Sequence, residues 1–206
     1  MRVLFGVNNK MNEKIRKMTV TAMLAAVSAV LMFFDFSVPF MPVFIKMDIS
    51  ELPALLAGFA YGPVSGVAVC LIKNLVNLTR TTTSGIGELC NFLLGAAFVL
   101  PSALIYKHKK TRKGAAVGAV VGAALMALLS LPINYFISYP VYASFIPGAM
   151  DAIISMYREI LPSVDGLLAC LVTFNLPFTL IKGIIDAVIC FLIYKPLSPV
   201  LHKKIH

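Results

Sequence analysis

Polar and ionisable side chains recur inside long apolar stretches of this sequence, where each charged group costs about 2.5 to 3.5 kcal/mol near the bilayer centre. Many stand three or four residues apart, as Lys73 and Asn77 or Lys182 and Asp186 do, so each pair shares one helix face. Counted from the ends of their apolar stretches, they fall in one layer near the outer face of the membrane. The layer comprises Lys73, Asn74, Asn77, Glu88, Asn91, Asn134, Thr179, Lys182 and Asp186. This pattern predicts a polar pocket that is open to the outside.

The chemistry of this layer favours an uncharged ligand with several hydrogen-bond donors and acceptors. Amide and hydroxyl groups suit such a ligand, and aromatic residues nearby are expected to wall the pocket. A phosphate-bearing ligand would need an arginine cluster or a glycine-rich helix N-terminus, and only Arg80 and Arg158 are near. The expected walls are Phe92, Tyr135, Phe136 and Phe178. A neutral vitamin or nucleoside therefore fits these residue types best.

A purely structural role is the alternative for the charged members of the layer. Lys182 and Asp186 would neutralise each other on one helix face, and Lys73 would pair with Glu88 between two helices. The charged groups would then hold helices together and would not bind a ligand. The residue types alone leave both roles open.

Motifs for catalysis or energy coupling are missing from the sequence. No glycine-rich loop ending in Gly-Lys-Ser/Thr occurs, so the chain cannot power uphill transport alone. His108, His202 and His206 all belong to inner segments, away from Ser65, which disfavours a protease. The cysteines have no metal-site spacing, and the acidic residues of 151–165 are dispersed. We predict no catalytic residue, no metal and no cofactor, and we predict that the chain is not an enzyme.

Long apolar runs must position these groups, and they predict an all-α membrane protein. The 206 residues are 59% apolar and 13% charged, with a mean hydropathy of +0.89, which excludes a soluble domain. The predicted transmembrane helices occupy 15–34, 50–60, 64–78, 87–106, 114–139 and 177–194. The second is too short to span the bilayer unaided. Residues 167–176 are expected to form a partly inserted or lid helix before the last span.

The distribution of basic residues predicts how these helices are oriented. Segments 1–18, 107–113 and 195–206 hold five, five and three of the 18 lysines and arginines, and short cytoplasmic loops are enriched in such residues. Six crossings with both termini in the cytoplasm satisfy this bias. The formal charge of +9 therefore indicates a membrane surface, and not nucleic acid, as the partner.

The whole chain, 1–206, is expected to form a single integral-membrane domain. Its first ten residues resemble neither a helix nor a processing signal, and Met11 is a candidate for the natural start. In the first helix, small residues recur at spacings of three and four, a pattern that lets another helix approach closely. They are Ala22, Ala25, Ala26 and Ala29. This face is predicted to dock a partner helix, unless alanine is simply common in membrane helices.

Five segments carry a resemblance to a known family. They are Asp-Ile-Ser-Glu-Leu-Pro-Ala-Leu-Leu-Ala-Gly-Phe at 48–59, Leu-Ile-Lys-Asn-Leu at 71–75, Gly-Glu-Leu-Cys-Asn-Phe-Leu-Leu-Gly at 87–95, Leu-Pro-Ile-Asn-Tyr at 131–135 and Pro-Phe-Thr-Leu-Ile-Lys-Gly at 177–183. Over about residues 13–201 the chain resembles the riboflavin-specific substrate-binding subunits, or S components, of energy-coupling factor (ECF) vitamin transporters. Together the segments are specific for that family.

The resemblance implies a riboflavin pocket on the extracellular half of a multi-pass protein in the bacterial plasma membrane, capped by the first loop. It implies that Asn134 and Lys182 hydrogen-bond riboflavin, the transported ligand, while Thr179 replaces an asparagine of the family pattern Pro-Phe-Asn-x-x-Lys-Gly. Asn175 compensates for that replacement if the last helix begins sooner. The alanine face would dock a transmembrane coupling subunit that works with two ATPase subunits. The predicted substrate-binding residues are Asp48, Glu51, Glu88, Asn91, Asn134, Phe178, Thr179 and Lys182.

Riboflavin uptake as an S component is therefore the predicted function. An S component for another vitamin, such as thiamine or pantothenate, is the nearest alternative. An integral-membrane enzyme acting on lipid would show turnover that depends on Glu88 or Asp186. A passive structural partner in a larger complex would bind no small molecule.

Overall fold

The computed structural model describes the backbone of residues 2–81, 83–145 and 147–202 and the side chains of 12–81, 83–145 and 147–193. Helix α1 spans Arg2–Phe33, so the expectation that the first ten residues are not helical is wrong. The side chain of Met11 lies outside the described part, and its role as the natural start stays a prediction. The basic side chains of 195–206 also lie outside it.

A loop with a short hairpin follows α1. Strands β1 (Phe36–Ser37) and β2 (Lys46–Met47) pair antiparallel, with Phe36 opposite Met47. Lys46 Nζ lies 3.1 Å from Asp35 Oδ2 beside the hairpin. These contacts give the connection between α1 and α2 a defined path.

Helix α2 (Glu51–Tyr61) lies inside the bundle, with α1, α3, α4 and α9 packed around it. Every residue from Glu51 to Phe59 is buried, which explains why this segment is almost entirely apolar or small. Gly62 then turns the chain at a φ of +94°, a conformation that glycine adopts readily, and Pro63 opens α3 (Pro63–Asn77). A 3₁₀ turn, Leu78–Arg80, ends this unit.

Helices α4 (Ile86–His108) and α5 (Arg112–Ile133) pack antiparallel at a very short distance. A Cβ atom on Gly122 would lie 2.1 Å from Ser102 Oγ, so only glycine permits this approach. Ser102 Oγ in turn donates to Phe98 O at 2.6 Å. The Gly/Ala-rich sequence of α5 therefore serves close helix packing.

Two wide turns interrupt the helices of the C-terminal half. A π-helical turn, Asn134–Ser138, joins α5 to α6 (Tyr139–Phe145). After α7 (Ala149–Ile160) and a loop, α8 (Leu167–Cys170) continues through a second π-helical turn, Leu171–Asn175, into α9 (Leu176–His202). The expected separate helix at 167–176 is therefore wrong, because it forms the first part of the last long helix.

Four helices of the described chain are long and apolar enough to cross a bilayer. They are Asn12–Phe33, Ile86–His108, Arg112–Phe145 and Leu167–Ile193. Helices α2 and α3, with 11 and 15 residues, are shorter than a full span. The all-α membrane class is confirmed, whereas six crossings with cytoplasmic termini stay a prediction.

Candidate functional site

A cavity of about 660 Å³ lies at the end of the bundle where α3 and α5 end and α2 and α4 begin. Its walls come from the loop of residues 34–50, from α4, from the turn after α5, from α7 and from α9. Pockets of this size accommodate ligands as large as vitamins. All eight residues predicted to bind the substrate line it: Asp48, Glu51, Glu88, Asn91, Asn134, Phe178, Thr179 and Lys182. Their contact with a ligand stays a prediction.

Lys182 links the loop to α9 at the wall of the cavity. Its Nζ donates to Asp48 Oδ2 at 2.8 Å and lies 3.4 Å from Glu51 Oε2. The expected pairing with Asp186 is therefore wrong, because the loop brings another carboxylate to the same ammonium group. Burial alone would raise the pKa of Asp48, but the charges of Lys182 and Lys73 and hydrogen bonds from Lys182 and Ser50 hold it well below its ordinary value.

Lys73 pairs with Glu51 from the side away from the cavity. Its Nζ lies 2.6 Å from Glu51 Oε1 and donates to Ser50 Oγ at 2.6 Å, and the side chain is fully buried. The expected pairing with Glu88 is wrong, because Glu51 of α2 pairs with the ammonium group of Lys73 instead. Lys73 does not line the cavity, so it acts on the site by fixing Glu51.

Ser50 joins these charged groups into one hydrogen-bond network. Its backbone N–H donates to Asp48 Oδ1 at 2.8 Å, and its hydroxyl donates to the same oxygen. Its carbonyl oxygen accepts from Ser28 Oγ at 2.5 Å, which ties the start of α2 to α1. The carboxylate of Asp48 is thereby held toward Lys182.

Asp186 lies one helical turn beyond Lys182 and is fully buried. Among the described residues, neither of its carboxylate oxygens has a hydrogen-bond partner. It does not line the cavity. Of the polar layer expected from the sequence, Lys73, Asn74 and Asp186 therefore lie behind the cavity wall.

Glu88 is held by neutral donors at the start of α4. Its carboxylate accepts from Asn77 Nδ2 at 3.1 Å, from Thr81 Oγ1 at 2.9 Å and from Thr83 Oγ1 at 3.1 Å. Within the described chain no cation lies within ion-pair distance of it. The 78–85 turn thus presents a negative group with fixed orientation to the cavity.

The aromatic lining of the cavity differs from the expected one. Of the four expected wall residues Phe178 lines it, whereas Phe92, Tyr135 and Phe136 do not. Tyr135 and Phe136 pack against each other at 4.9 Å between ring centroids, and the ring of Phe136 is largely exposed. Phe44, Tyr139 and Tyr142 line the cavity instead. Helical periodicity missed the two tyrosines because the π-helical turn shifts the phase of every residue after it.

A closed ring of hydrogen bonds fastens α7 beside the cavity. The Tyr157 hydroxyl donates to Asn175 Oδ1 at 2.6 Å, Asn175 Nδ2 donates to the Tyr139 hydroxyl at 3.2 Å, and the two phenol oxygens lie 2.8 Å apart. Phe44 of the loop meets both tyrosine rings edge-on. Burial raises the pKa of Tyr157 well above its ordinary value, so the hydroxyl stays protonated and can donate. The last helix does begin sooner than Pro177, and Asn175 lines the cavity.

The charges around the cavity nearly cancel. Four carboxyl groups and three cationic groups line it, and Asp35 with Lys46 and Asp48 with Lys182 already form ion pairs. The guanidinium of Arg80 lies 4.6 Å from the centre of the Phe33 ring. A site with this balance suits an uncharged guest better than an anion or a cation.

The structure divides the predicted alanine face of α1 in two. Ala25 and Ala29 are buried, at 1% and 5% exposure, and pack inside the bundle. Ala22 and Ala26 are exposed, next to the exposed side chains of Met23 and Val27. The surface available to a partner helix therefore contains two of the four alanines.

Comparisons with known proteins agree with this architecture. The sequence model of the family described as "ECF transporter, substrate-specific component" matches residues 16–194. The riboflavin transporter RibU of Staphylococcus aureus (strain TCH60) is 33% identical over 195 residues, which is 94% of this chain and 97% of that protein. The riboflavin transporter FmnP of Bacillus subtilis (strain 168) is 33% identical over 196 residues, 93% and 96% of the two chains.

A solved structure described as "Structure and mechanism of the S component of a bacterial ECF transporter" has the same fold. It superposes with a TM-score of 0.72 at 32% identity and covers 92% of this chain and 99% of its own. With four membrane-length helices, the chain is a multi-pass bacterial membrane protein. It belongs to the family of substrate-specific components of ECF transporters.

Proposed function

We propose that the chain binds riboflavin in this cavity and delivers it as the S component of an ECF transporter. One observation carries the proposal: a cavity at one end of the bundle gathers amides, hydroxyls and paired charges beside aromatic rings. It lies in a chain that is 33% identical to riboflavin transporters over most of its length. The relatives are named as transporters, which supports a binding role and not an enzymatic one.

The chemistry of riboflavin matches that of the lining. Its isoalloxazine ring has an apolar dimethylbenzene end, which needs contacts of the kind that Phe178 and Leu94 offer. The opposite pyrimidine end carries several donors and acceptors, and an unpaired group there would cost about 1 to 3 kcal/mol on burial. The ribityl hydroxyls need acceptors as well as donors, which carboxylates and amides provide.

Each predicted site residue has a role consistent with its surroundings. Asn134 offers a donor and an acceptor at the turn after α5, and Lys182 offers an ammonium group whose position Asp48 and Glu51 fix. Glu88 and Asn91 supply acceptor and amide groups from α4. Thr179 supplies one hydroxyl where the family pattern has an asparagine, so it makes fewer hydrogen bonds.

We propose a single domain over residues 1–206 with six crossings and both termini in the cytoplasm. Three inner segments with 13 of the 18 basic residues support this orientation, which places the cavity on the outer side. Helices α2 and α3 would form the second and third crossings, shielded from lipid in part by α1 and α4. The location of the cavity at the end of the bundle opposite the 107–113 segment agrees with uptake from outside.

The partners we propose are a transmembrane coupling subunit and two ATPase subunits. Membership of the ECF family supports them, and the sequence contains no phosphate-binding loop of its own. Ala22 and Ala26 are the residues of the alanine face that a coupling helix can reach. Movement of ligand across the membrane would depend on that contact.

Flavin fluorescence tests the proposed ligand and site together. Riboflavin should lose fluorescence on binding to the purified protein in detergent, and thiamine or pantothenate should not displace it. The double variant Asn134→Ala/Lys182→Ala should weaken affinity on the order of 100-fold, because each lost hydrogen bond removes about 1 to 2 kcal/mol.

A matched control removes the same residue types at the other end of α1. Asn12→Ala/Lys17→Ala changes two exposed side chains far from the cavity and should bind like the unmodified protein. Unchanged affinity in Asn134→Ala/Lys182→Ala would contradict the site assignment. Displacement of the flavin by thiamine or pantothenate would contradict the choice of vitamin.

A further inference from the structure

A second concave surface lies at the opposite end of the molecule, beside the hairpin that joins α4 to α5. The hairpin is tight: the Thr111 N–H donates to Lys109 O at 2.7 Å, and Thr111 Oγ1 accepts from Gly114 N at 3.0 Å. A Cβ atom on Gly114 would lie 2.1 Å from Lys109 O. The surface next to this turn is therefore built into the fold and does not depend on a mobile loop.

The surface is a groove with apolar walls and a basic rim. Leu104, Ile105 and Val117 form its walls, and Lys109 and Lys113 stand at its rim. The ring of His108, which also lines it, is held by its Nδ1, 2.9 Å from Leu104 O. An occupant must therefore combine an apolar part with a negatively charged part.

The positive charge at this rim is not neutralised within the described chain. No acidic residue occurs in the sequence between Glu88 and Asp151. None of the lysines and arginines of residues 107–113 forms an ion pair with a described residue. The N-terminus of α5 adds a partial positive charge at the same place. An anionic group is the complement that this surface lacks.

The apolar surface that continues from the groove along α4 and α5 favours a lipid over a protein as the occupant. Leu104 and Val117 are 39% and 55% exposed, and the exposed side chains of Leu100 and Val120 continue the apolar surface along α4 and α5. At 1.5 Å per residue, the walls begin within about 10 Å of the lysines. At the boundary between acyl chains and headgroups, a membrane protein presents apolar side chains to the acyl chains and basic side chains to the headgroups. The walls and the rim of this groove match that arrangement. An acidic protein segment without apolar side chains would pair with the lysines but would gain nothing from the walls.

We propose that this groove binds one anionic phospholipid, with its phosphate at Lys109 and Lys113 and an acyl chain along Leu104 and Val117. The site is independent of the vitamin cavity, and it would lie in the cytoplasmic leaflet in the orientation proposed above. A lipid held there would join α4 to α5 at the membrane surface. The lysines at the rim select the charge of the headgroup, and the walls favour a lipid over a soluble phosphate because they contact its acyl chain.

Native mass spectrometry of the full chain in detergent tests the proposal with dioleoyl phosphatidylglycerol and dioleoyl phosphatidylcholine as probes. The unmodified protein should retain one phosphatidylglycerol and discriminate against phosphatidylcholine. Lys109→Gln/Lys113→Gln should weaken retention of phosphatidylglycerol on the order of tenfold. Lys107→Gln/Lys110→Gln removes the same charge from the same hairpin but outside the groove, and it should retain the lipid.

Three results would overturn the proposal: equal losses in the two double variants, equal retention of the two lipids, or no retained lipid at all. The substituted lysines are exposed, and a thermal melt of each variant checks that the fold is intact. The shift of that melt on adding phosphatidylglycerol gives a second readout, which Lys109→Gln/Lys113→Gln should abolish. Flavin binding should be the same in all of these proteins, so failure here is distinguishable from failure of the proposed vitamin site.

Discussion

Two lysines share the carboxylate of Glu51, and their surroundings give them different tasks. Lys73 is fully buried against Glu51 and Ser50. Lys182 reaches Glu51 from the cavity side, where 12% of its side chain is exposed. A buried ion pair stabilises little in net terms, but its remaining half is costly when one partner is removed. Lys73 therefore fixes the position of Glu51, while Lys182 remains accessible to a ligand.

This difference predicts the effect of removing Lys73. Lys73→Met should lower the free energy of unfolding by about 3 to 5 kcal/mol, because Glu51 is left buried without its closest cation. Denaturant unfolding in detergent, followed by circular dichroism, measures the change. Lys46→Met breaks the exposed pair with Asp35 and should cost at most about 1 kcal/mol. Similar losses in the two variants would show that Lys73 does not neutralise Glu51.

The low pKa of Asp48 predicts how stability depends on pH. Because this pKa is lower in the folded chain than in the unfolded one, the ionised carboxylate stabilises the fold above its ordinary pKa of about 4. The contribution is lost as the pH falls toward the folded-state value. Between pH 6 and pH 3, Asp48→Asn should therefore remove about 1 kcal/mol of the fall in unfolding free energy.

The control for that experiment is Asp151→Asn, which removes the same charge from an exposed position on α7. It should keep the pH dependence of the unmodified protein. A pH profile of Asp48→Asn that follows the unmodified protein would mean that the ion pair with Lys182 does not form in solution.

Residue types were enough to predict polar residues that line the cavity, but not most of its aromatic walls and not the ion pairs. Polar groups in apolar helices are few, and all eight predicted residues reach one cavity. Their partners depend on where the loop folds back: Asp48 and Lys182 are 134 positions apart in the chain. Helical spacing suggested Asp186 as the ion-pair partner of Lys182. The sequence contains no signal that the loop brings the carboxylate of Asp48 closer.

At the scale of elements, α7 and the first loop together form the roof of the cavity. Met41, Ile45 and Ile153 pack against the buried cluster around Tyr157 and Phe174. The hydrogen-bond ring of Tyr139, Tyr157 and Asn175 fixes that cluster to the start of α6 and to the second π-helical turn. The roof therefore has its own small core, separate from the one around α2.

The ring predicts the behaviour of Tyr157→Phe. Loss of the hydroxyl leaves Asn175 Oδ1 without its donor in a buried place, which should cost about 1 to 3 kcal/mol. Amide hydrogen exchange over residues 149–160 should become faster, and bound riboflavin should dissociate sooner. Tyr135→Phe alters a tyrosine outside the cavity and should change neither rate. Unchanged exchange in Tyr157→Phe would mean that the ring does not hold α7.

The helices themselves were largely predictable, and the exceptions have physical reasons. Gly62 with Pro63 marked the break between α2 and α3, and α5 begins at Arg112, close to the expected start at 114. The join of α8 to α9 was not predictable, because a π-helical turn is stabilised by tertiary contacts and has no residue signature. The expected start of the last span at Pro177 followed from that proline, which the long helix tolerates near its wide turn.

At the scale of the whole molecule, the exposed half of the alanine face predicts a separation of binding from uptake. Ala22→Leu/Ala26→Leu adds bulk on the outside of α1, so the isolated protein should bind riboflavin with unchanged affinity. Uptake of riboflavin by cells that contain the complete transporter should be lost, because a coupling helix can no longer approach.

Two further variants serve as controls for that experiment. Ala25→Leu adds the same bulk on the buried side of α1 and should lower the free energy of unfolding by about 1 to 3 kcal/mol through overpacking. Val120→Leu alters an exposed position on α5 and should leave uptake intact. Normal uptake by Ala22→Leu/Ala26→Leu would exclude this face as the docking site.

The two π-helical turns each hold one residue more than an α-helix of the same rise would. Everything that follows such a turn is rotated by about 100° relative to an uninterrupted helix. Tyr139 and Tyr142 face the cavity after the first of these turns. Deleting a single residue from that turn would rotate both phenols away from the cavity, although the sequence of the helix after it would be unchanged. The position of these two tyrosines therefore depends on the number of residues in the turn as well as on their identity.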